Sequence, residues 1–264
     1  MSSNVNSVKN TLKVAFGLCA VCSIVISSAA VILKPMQTAN EILDRNKNIL
    51  VAAGLFDPSV HTNADVAGMF SEFTPRLVNL DEGRYLTDEE QQSLGLDPQT
   101  YDQQSAKNDP AMSEALTGTD DVASIRRRAA YATVYVIDNE QGEGYQTVVI
   151  PVSGYGLWGI MYGYLALEGD GNTVRGIGFY DHQETPGLGG EISNPRWQEQ
   201  WLGKQIYNED MDIAFRVSKG GGQGEYQVDA LAGATLTSRG VENMIEFWLG
   251  ERGFAPFLRN EVQS

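Results

Sequence analysis

The chain has 264 residues and a mass of 28.8 kDa, with 34 acidic against 19 basic side chains and a formal net charge of −15. Phosphate backbones are bound by Lys and Arg that displace counterions, so this balance excludes most nucleic-acid-binding classes. A charged fraction of 20% and a hydrophobic fraction of 42% are those of a folding chain, long enough for one large or two ordinary domains.

The charge is unevenly spread. Residues up to Lys34 carry Lys9, Lys13 and Lys34 and no acid, about +3, which leaves about −18 on the rest. After a short tail over residues 1–13, the run Val14 to Leu33 (VAFGLCAVCSIVISSAAVIL) is uncharged. As a helix its ~20 residues span about 30 Å, the hydrocarbon thickness of a bilayer. Ser27 to Ala30 offer the small residues of a cleavable leader. The apolar run nevertheless continues through Val31, Ile32 and Leu33, beyond the roughly 7–15 residues of a leader core, so it reads as a retained transmembrane helix. Lys9 and Lys13 precede it while Lys34, Arg45 and Lys47 follow, so charge counting does not orient it. Cys19 and Cys22, the only cysteines, form a CxxC inside this span with neither a βαβ setting nor further metal ligands; they read as inert thiols.

Residues 34–130 follow as a peripheral segment. Ala39 to Ala53 places Ile42, Leu43, Ile49 and Leu50 on one face and predicts a short amphipathic helix leaving the membrane. From Asp57 to about Arg128 the composition is acidic and turn-rich, with scattered apolar residues, and predicts loops and helices. Residues 131–264 change character. Ala132 to Ile137, Thr147 to Val152, Ile160 to Leu167 and Val174 to Tyr180 are β-branched and aromatic runs separated by turn clusters, which predicts successive antiparallel hairpins. Asn194 to Leu202 and Ser238 to Leu249 read as helices, giving an α+β domain with an antiparallel sheet and flanking helices.

Three glycine-bearing stretches are candidate site loops. Gly154 to Gly159 (GYGLWG) joins two strands: it is either a plain hairpin turn with a core Trp or a loop whose Trp158 walls an aromatic ligand. His182 to Gly190 (HQETPGLGG) bends tightly, as a surface turn or as a surface that turns several N–H groups toward an acceptor. Asp229 to Ser238 (DALAGATLTS) precedes the last helix. Its hydroxyls either cap that helix through Thr237 or Ser238, or accompany an anion at the outward-pointing N–H groups of the first turn. His61 and His182 are the only histidines and lie in different regions, so a His-rich site is out, and His182 reads as a hydrogen-bond partner. No Ser-His-Asp spacing, HExxH, P-loop or strand-linked GxGxxG occurs, which removes the usual parts of hydrolase and dehydrogenase chemistry.

The stretch DALAGAT (Asp229 to Thr235) resembles the flavinylation motif of the FMN-binding domain family, with Ala232 standing where that motif usually has Ser or Thr. HQETPGLGGEI with Trp197 and Gly203-Lys204, and YGLWGIMYG (Tyr155 to Gly163), resemble the other signatures of the domain. With one N-terminal anchor and this length, the whole chain is similar to the C-subunit family of Na+-translocating NADH:quinone reductases. The resemblance implies a soluble FMN-binding domain behind the anchor and FMN esterified through its phosphate to Thr235. It implies that Asp229, Gly233 and Ala234 are motif residues read by a flavin transferase, with the Thr237 and Ser238 hydroxyls near the phosphate. Leu157, Trp158, Glu184, Thr185, Leu188 and Gly189 are expected to line the isoalloxazine ring, and Lys204 to balance phosphate or reduced-flavin charge.

The implied activity is electron carriage among the subunits of that complex. The implied placement is a bacterial inner membrane with the soluble domain in the periplasm, with NADH and sodium bound by other subunits. Two other readings share some of these features: the flavoprotein subunit of a related ion-translocating complex linked to ferredoxin or NAD, and a cofactor-free membrane-anchored assembly module. The long insert before Ala132 favours the quinone reductase over the first.

Overall fold

A computed structural model describes residues 8–139, 142, 144–220 and 222–263. The chain divides into two compact units at Arg45/Asn46. The first helix, α1 (Val8–Ala52), is long and apolar enough to cross a membrane, and none of its most apolar window is buried within the protein. The expected amphipathic helix is not a separate element but the end of α1: Pro35 lies inside the helix without ending it, and Ile49, Leu50 and Ala52 are buried. A proline removes one backbone donor, and here the helical bonds on either side carry the chain through.

The second unit opens with the last turns of α1 and continues with α2 (Val66–Phe70), β1 (Thr74–Asn79), β2 (Arg84–Tyr85), α3 (Asp88–Leu94), α4 (Gln103–Ala106), β3 (Ser113–Ala115) and β4 (Arg127–Ala129). The four expected strands follow as β5 (Tyr131–Asp138), β6 (Tyr145–Tyr155), β7 (Ile160–Glu168) and β8 (Val174–Asp181). Then come α5 (Pro195–Gln198), continued by a 3₁₀ turn over Glu199–Trp201, β9 (Arg216–Ser218), β10 (Gln227–Asp229), α6 (Thr235–Trp248) and α7 (Ala255–Phe257). The main sheet is antiparallel with strand order β2-β1-β5-β6-β7-β8. β9 and β10 form a small parallel pair, and β3 and β4 an antiparallel one.

The structure corrects two further sequence expectations. The segment before residue 131 is not peripheral to the sheet, because β1 pairs with β5 from Thr74↔Val136 to Asn79↔Tyr131 and so lies inside it. TPRLVN is hard to recognise as a strand, since Pro75 and Arg76 interrupt the β-branched pattern, and its place is decided by pairing with β5. The helix expected over Asn194 to Leu202 is broken into one α turn and one 3₁₀ turn. Asn194 caps it by accepting from Arg196 N, with Pro195 at the first position.

α6 packs on β6. Val241, Met244, Ile245 and Trp248, at helical spacing, join one core cluster with Val134, Val148, Ile150, Leu165 and Ile177 of the sheet. Two glycines set the approach: a Cβ at Gly240 would lie 2.3 Å from Tyr155 O, and one at Gly154 would lie 2.7 Å from Met244 Cβ. Tyr135, Tyr164 and Tyr180 form a second group of packed rings, with centroids 6.1 and 5.2 Å apart.

Candidate functional site

The hairpin β6–β7 runs in unbroken register from Thr147↔Glu168 to Tyr155↔Ile160. Gly156 N donates to Gly159 O at 2.8 Å, so Leu157 and Trp158 form a two-residue tip. Both are exposed, Leu157 by 42% and Trp158 by 61%, so Trp158 is not a core residue. Trp158 Nε1 donates to Thr185 Oγ1 at 3.0 Å, which joins the tip to the second glycine-bearing loop.

That loop turns through Gly187 at φ +74 and presents Leu188 to solvent. Glu184 turns inward instead: Oε1 accepts from Leu157 N at 2.9 Å and Trp158 N at 3.0 Å, and Oε2 from Thr237 Oγ1 at 2.5 Å. His182 is the hydrogen-bond partner expected, with Nε2 2.9 Å from Ser193 Oγ and Nδ1 accepting from Glu184 N at 3.3 Å.

The third stretch leads into α6, which begins at Thr235, three residues earlier than the periodicity suggests. Neither Thr237 nor Ser238 caps it. Thr237 bonds to Glu184, while Ser238 Oγ donates to Ala234 O and accepts from Leu231 N, and no side chain caps the helix at its first residue. The first i→i−4 bond in this turn is Ser238 N to Ala234 O at 3.0 Å, so the N–H groups of Thr235, Leu236 and Thr237 precede the helical ladder. Thr235 is exposed, and Gly233 before it has φ +74, with Leu188 Cδ2 3.1 Å from where a Cβ would stand. Residues two apart on a helix point roughly 200° apart, which is why Thr235 faces out while Thr237 faces in.

The three loops therefore meet, as the motifs suggest, but not every predicted residue faces the same space. Leu157, Trp158, Thr185, Leu188, Gly233 and Thr235 are exposed where these loops meet. Glu184, Gly189, Ala234, Thr237 and Ser238 are buried, so neither a ring-lining Glu184 nor phosphate-facing Thr237 and Ser238 hydroxyls match the structure. Lys204 is also elsewhere: Nζ donates to Gly222 O at 2.9 Å and Gly224 O at 2.8 Å, so its charge braces the loop before β10. Asp229 belongs to the same brace. Its Oδ1 accepts from Gly222 N at 2.9 Å, its N donates to Gln200 Oε1, and its O accepts from Trp197 Nε1 at 2.7 Å. Gln200 carries no local sequence signal for this contact. A cavity of ≈ 260 Å³ lined by Tyr207, Arg216, Glu246, Leu249 and Arg259 lies at the other end of α6, and no predicted site residue lines it.

An uncapped helix start, an exposed threonine on its first turn and an apolar hairpin tip beside it suit a ligand with an anionic group and an aromatic ring. These residues fit a flavin mononucleotide, and the sequence model of the FMN-binding domain matches residues 156–250, a span that holds Leu157, Trp158, Thr185, Leu188, Gly233 and Thr235. The fold and site thus define a domain of the FMN-binding class behind an apolar N-terminal helix.

Relatives that align over nearly their whole length narrow this class. The chain is 46% identical over 264 residues to the C-subunit of the Na(+)-translocating NADH-quinone reductase of Pseudomonas aeruginosa, covering 98% of this chain and 97% of that one. It is 47% identical over 261 residues to the corresponding C-subunit of Vibrio alginolyticus, with coverage of 98% and 96%. Among solved structures, Shewanella oneidensis NqrC matches with a TM-score of 0.74 and 34% identity, over 84% of this chain and 97% of that one. The chain belongs to the NqrC family, the C-subunits of the Na+-translocating NADH-quinone reductases.

Proposed function

We propose that Thr235 carries FMN through a phosphoester bond and that the protein works as an electron carrier within a Na+-translocating NADH:quinone reductase. The observation that carries this reading is the exposed Thr235 at the uncapped start of α6, inside the DALAGAT stretch, with Leu188 against Gly233 and the Leu157–Trp158 tip tied through Glu184 to Thr237 two residues on. The N–H groups of the first helical turn supply positive ends for a phosphate, which matters in a chain whose net charge of −15 opposes an anion. Gly233 at φ +74 lets the backbone turn into the helix without a Cβ pressing on Leu188. Leu157, Trp158 and Leu188 offer apolar walls for the ring, and Thr185 holds Trp158 in place. FMN supplies the redox chemistry: it accepts and passes on electrons, while covalent attachment keeps it from diffusing away.

A threonine hydroxyl is a weak nucleophile, and of the two histidines His182 is engaged with Ser193 and Glu184 while His61 lies at Asp57, so a separate flavin transferase makes the bond. The remaining subunits of the complex are the partners. α1 anchors the chain in the bacterial inner membrane with residues 46–264 in the periplasm, and NADH and sodium bind other subunits. The test is to express the full chain with and without a flavin transferase and read flavin fluorescence in the denatured band. Wild type should fluoresce only with the transferase, and Thr235→Val should not. A Thr235→Val band as bright as wild type refutes the attachment site, and a wild-type band that stays dark with the transferase refutes the flavin reading.

A further inference from the structure

Glu184 is a buried acid, 5% exposed, that reaches from its own loop to both of the other two site stretches. Its two oxygens serve different elements. Oε1 takes both N–H groups of the hairpin tip, at 2.9 and 3.0 Å, and Oε2 takes the Thr237 hydroxyl of α6 at 2.5 Å. Space for this arrangement exists because positions 156 and 189 lack side chains: a Cβ on Gly156 would lie 2.5 Å from Oε1, and one on Gly189 would lie 2.5 Å from Oε2 and 2.5 Å from Thr237 Oγ1. A carboxylate only accepts, and bonds to a charged acceptor are roughly twice as strong as neutral ones.

We propose that Glu184 is a positioning residue: through Thr237 it fixes the Leu157–Trp158 tip against the first turn of α6, and so sets where the ring wall stands relative to the attachment point on that turn. The inference rests on Thr235 being that point. Thr237 is 1% exposed and sits two residues after Thr235 in the same helical turn, so any slack between Glu184 and Thr237 is slack between wall and attachment point. Trp158 is held twice, by its N on Glu184 and its Nε1 on Thr185 Oγ1, and removing Glu184 leaves only the second, exposed bond.

The test uses the full chain in detergent, first without flavin. Hydrogen exchange at the Leu157 and Trp158 amides should quicken more than tenfold in Glu184→Ala and Thr237→Val. It should stay within about threefold of wild type in Thr237→Ser, which keeps the hydroxyl, and in Glu184→Gln, which keeps an acceptor for both amides. In the flavinylated protein, Thr237→Val should move the flavin midpoint potential by at least a tenfold change in the ratio of reduced to oxidised flavin, and Thr237→Ser should restore it. A role confined to overall stability would lower the denaturation midpoint and leave the potential at the wild-type value. Unchanged exchange at both amides in Glu184→Ala, or in Thr237→Val should the first variant not fold, overturns the proposal, as does an unchanged potential in Thr237→Val. A dark denatured wild-type band overturns the flavin reading, while the exchange result still decides whether Glu184 holds the tip.

Discussion

Gly240→Ala separates two forces that act in opposite directions on the same residue. In a helix interior alanine is favoured over glycine by about 0.8–1 kcal/mol, so the substitution would stabilise α6 if the position were open. It is closed: the new Cβ would stand 2.3 Å from Tyr155 O, 3.1 Å from Gly156 Cα and 3.2 Å from Tyr155 C, all backbone atoms that cannot rotate away. Ordinary contact begins near 3.4 Å, so α6 has to retreat by about 1 Å from the end of β6. Overpacking of this kind costs about 1–3 kcal/mol, and contact with backbone belongs at the upper end. The net expectation is a loss of about 1–2 kcal/mol, or roughly 2–8 °C in Tm for a body of this size. Chemical denaturation followed by the fluorescence of the buried Trp197, Trp201 and Trp248 reads it directly. Gly68→Ala is the control, because nothing lies within 4 Å of its Cβ and α2 is exposed there; it should be neutral or stabilising. A Gly240→Ala protein as stable as Gly68→Ala would refute the close approach of α6 to β6 on which the geometry of the site depends.

Three further outcomes follow from the same structure. Arg128 is 3% exposed and pairs with Asp81, donates to Arg252 O at 2.6 Å, and has Glu114 Oε1 2.9 Å away without hydrogen-bond alignment. Asp81→Asn with Glu114→Gln should strand that buried charge and cost toward the lower end of about 3–5 kcal/mol, since both acids are partly exposed; Arg128→Met, which removes the charge with its partners intact, should cost less by urea denaturation. Glu90 is held down to about 2, first by the Arg84 guanidinium and next by the Thr87 N–H. A lowered carboxylate contributes stability above its ordinary value of 4.5 and loses it as pH falls from there through about 2. In Arg84→Gln, a carbon-detected NMR titration should find Glu90 closer to its ordinary value, and an unmoved titration would remove Arg84 as the cause. Gly233→Ala places a side chain at φ +74 and 3.1 Å from Leu188 Cδ2, so it should lower Tm and dim the flavinylated band, whereas Gly187→Ala, at the same φ with open space around it, should lower Tm alone.

The strands β5 to β8 were legible because both their faces are covered: continuous runs such as ATVYVI keep their meaning whatever lies above and below them. β1 was not legible, because Pro75, Arg76 and Asn79 dilute its pattern. Its strand character comes from pairing with β5 in the register Thr74↔Val136 to Asn79↔Tyr131, and that partner is distant in the chain and adjacent only after folding. The same division runs through the site. The family resemblance picked out Leu157, Leu188 and Thr235, and the glycine-bearing hairpin picked out Trp158; their exposure in the structure follows from a two-residue hairpin tip, a tight turn and a helix start, all of them local structures. Glu184, Thr237, Ser238 and Lys204 carried side chains suited to a ligand, and the fold used their hydrogen-bonding capacity within the protein.

By itself, then, the amino-acid sequence determined an apolar helix ahead of an acidic body and the central hairpins of the sheet, and it carried a threonine in a stretch that resembles a flavinylation motif, since each depends on neighbours within a few turns or a single hairpin. Only the tertiary structure decided that the early acidic segment supplies a strand to the sheet, that α6 rests against β6 through Gly154 and Gly240, and that Glu184 ties the hairpin tip to α6. Those outcomes depend on groups far apart in the chain competing for the same space and the same hydrogen bonds. Which partner wins is settled by packing, and no local pattern records it.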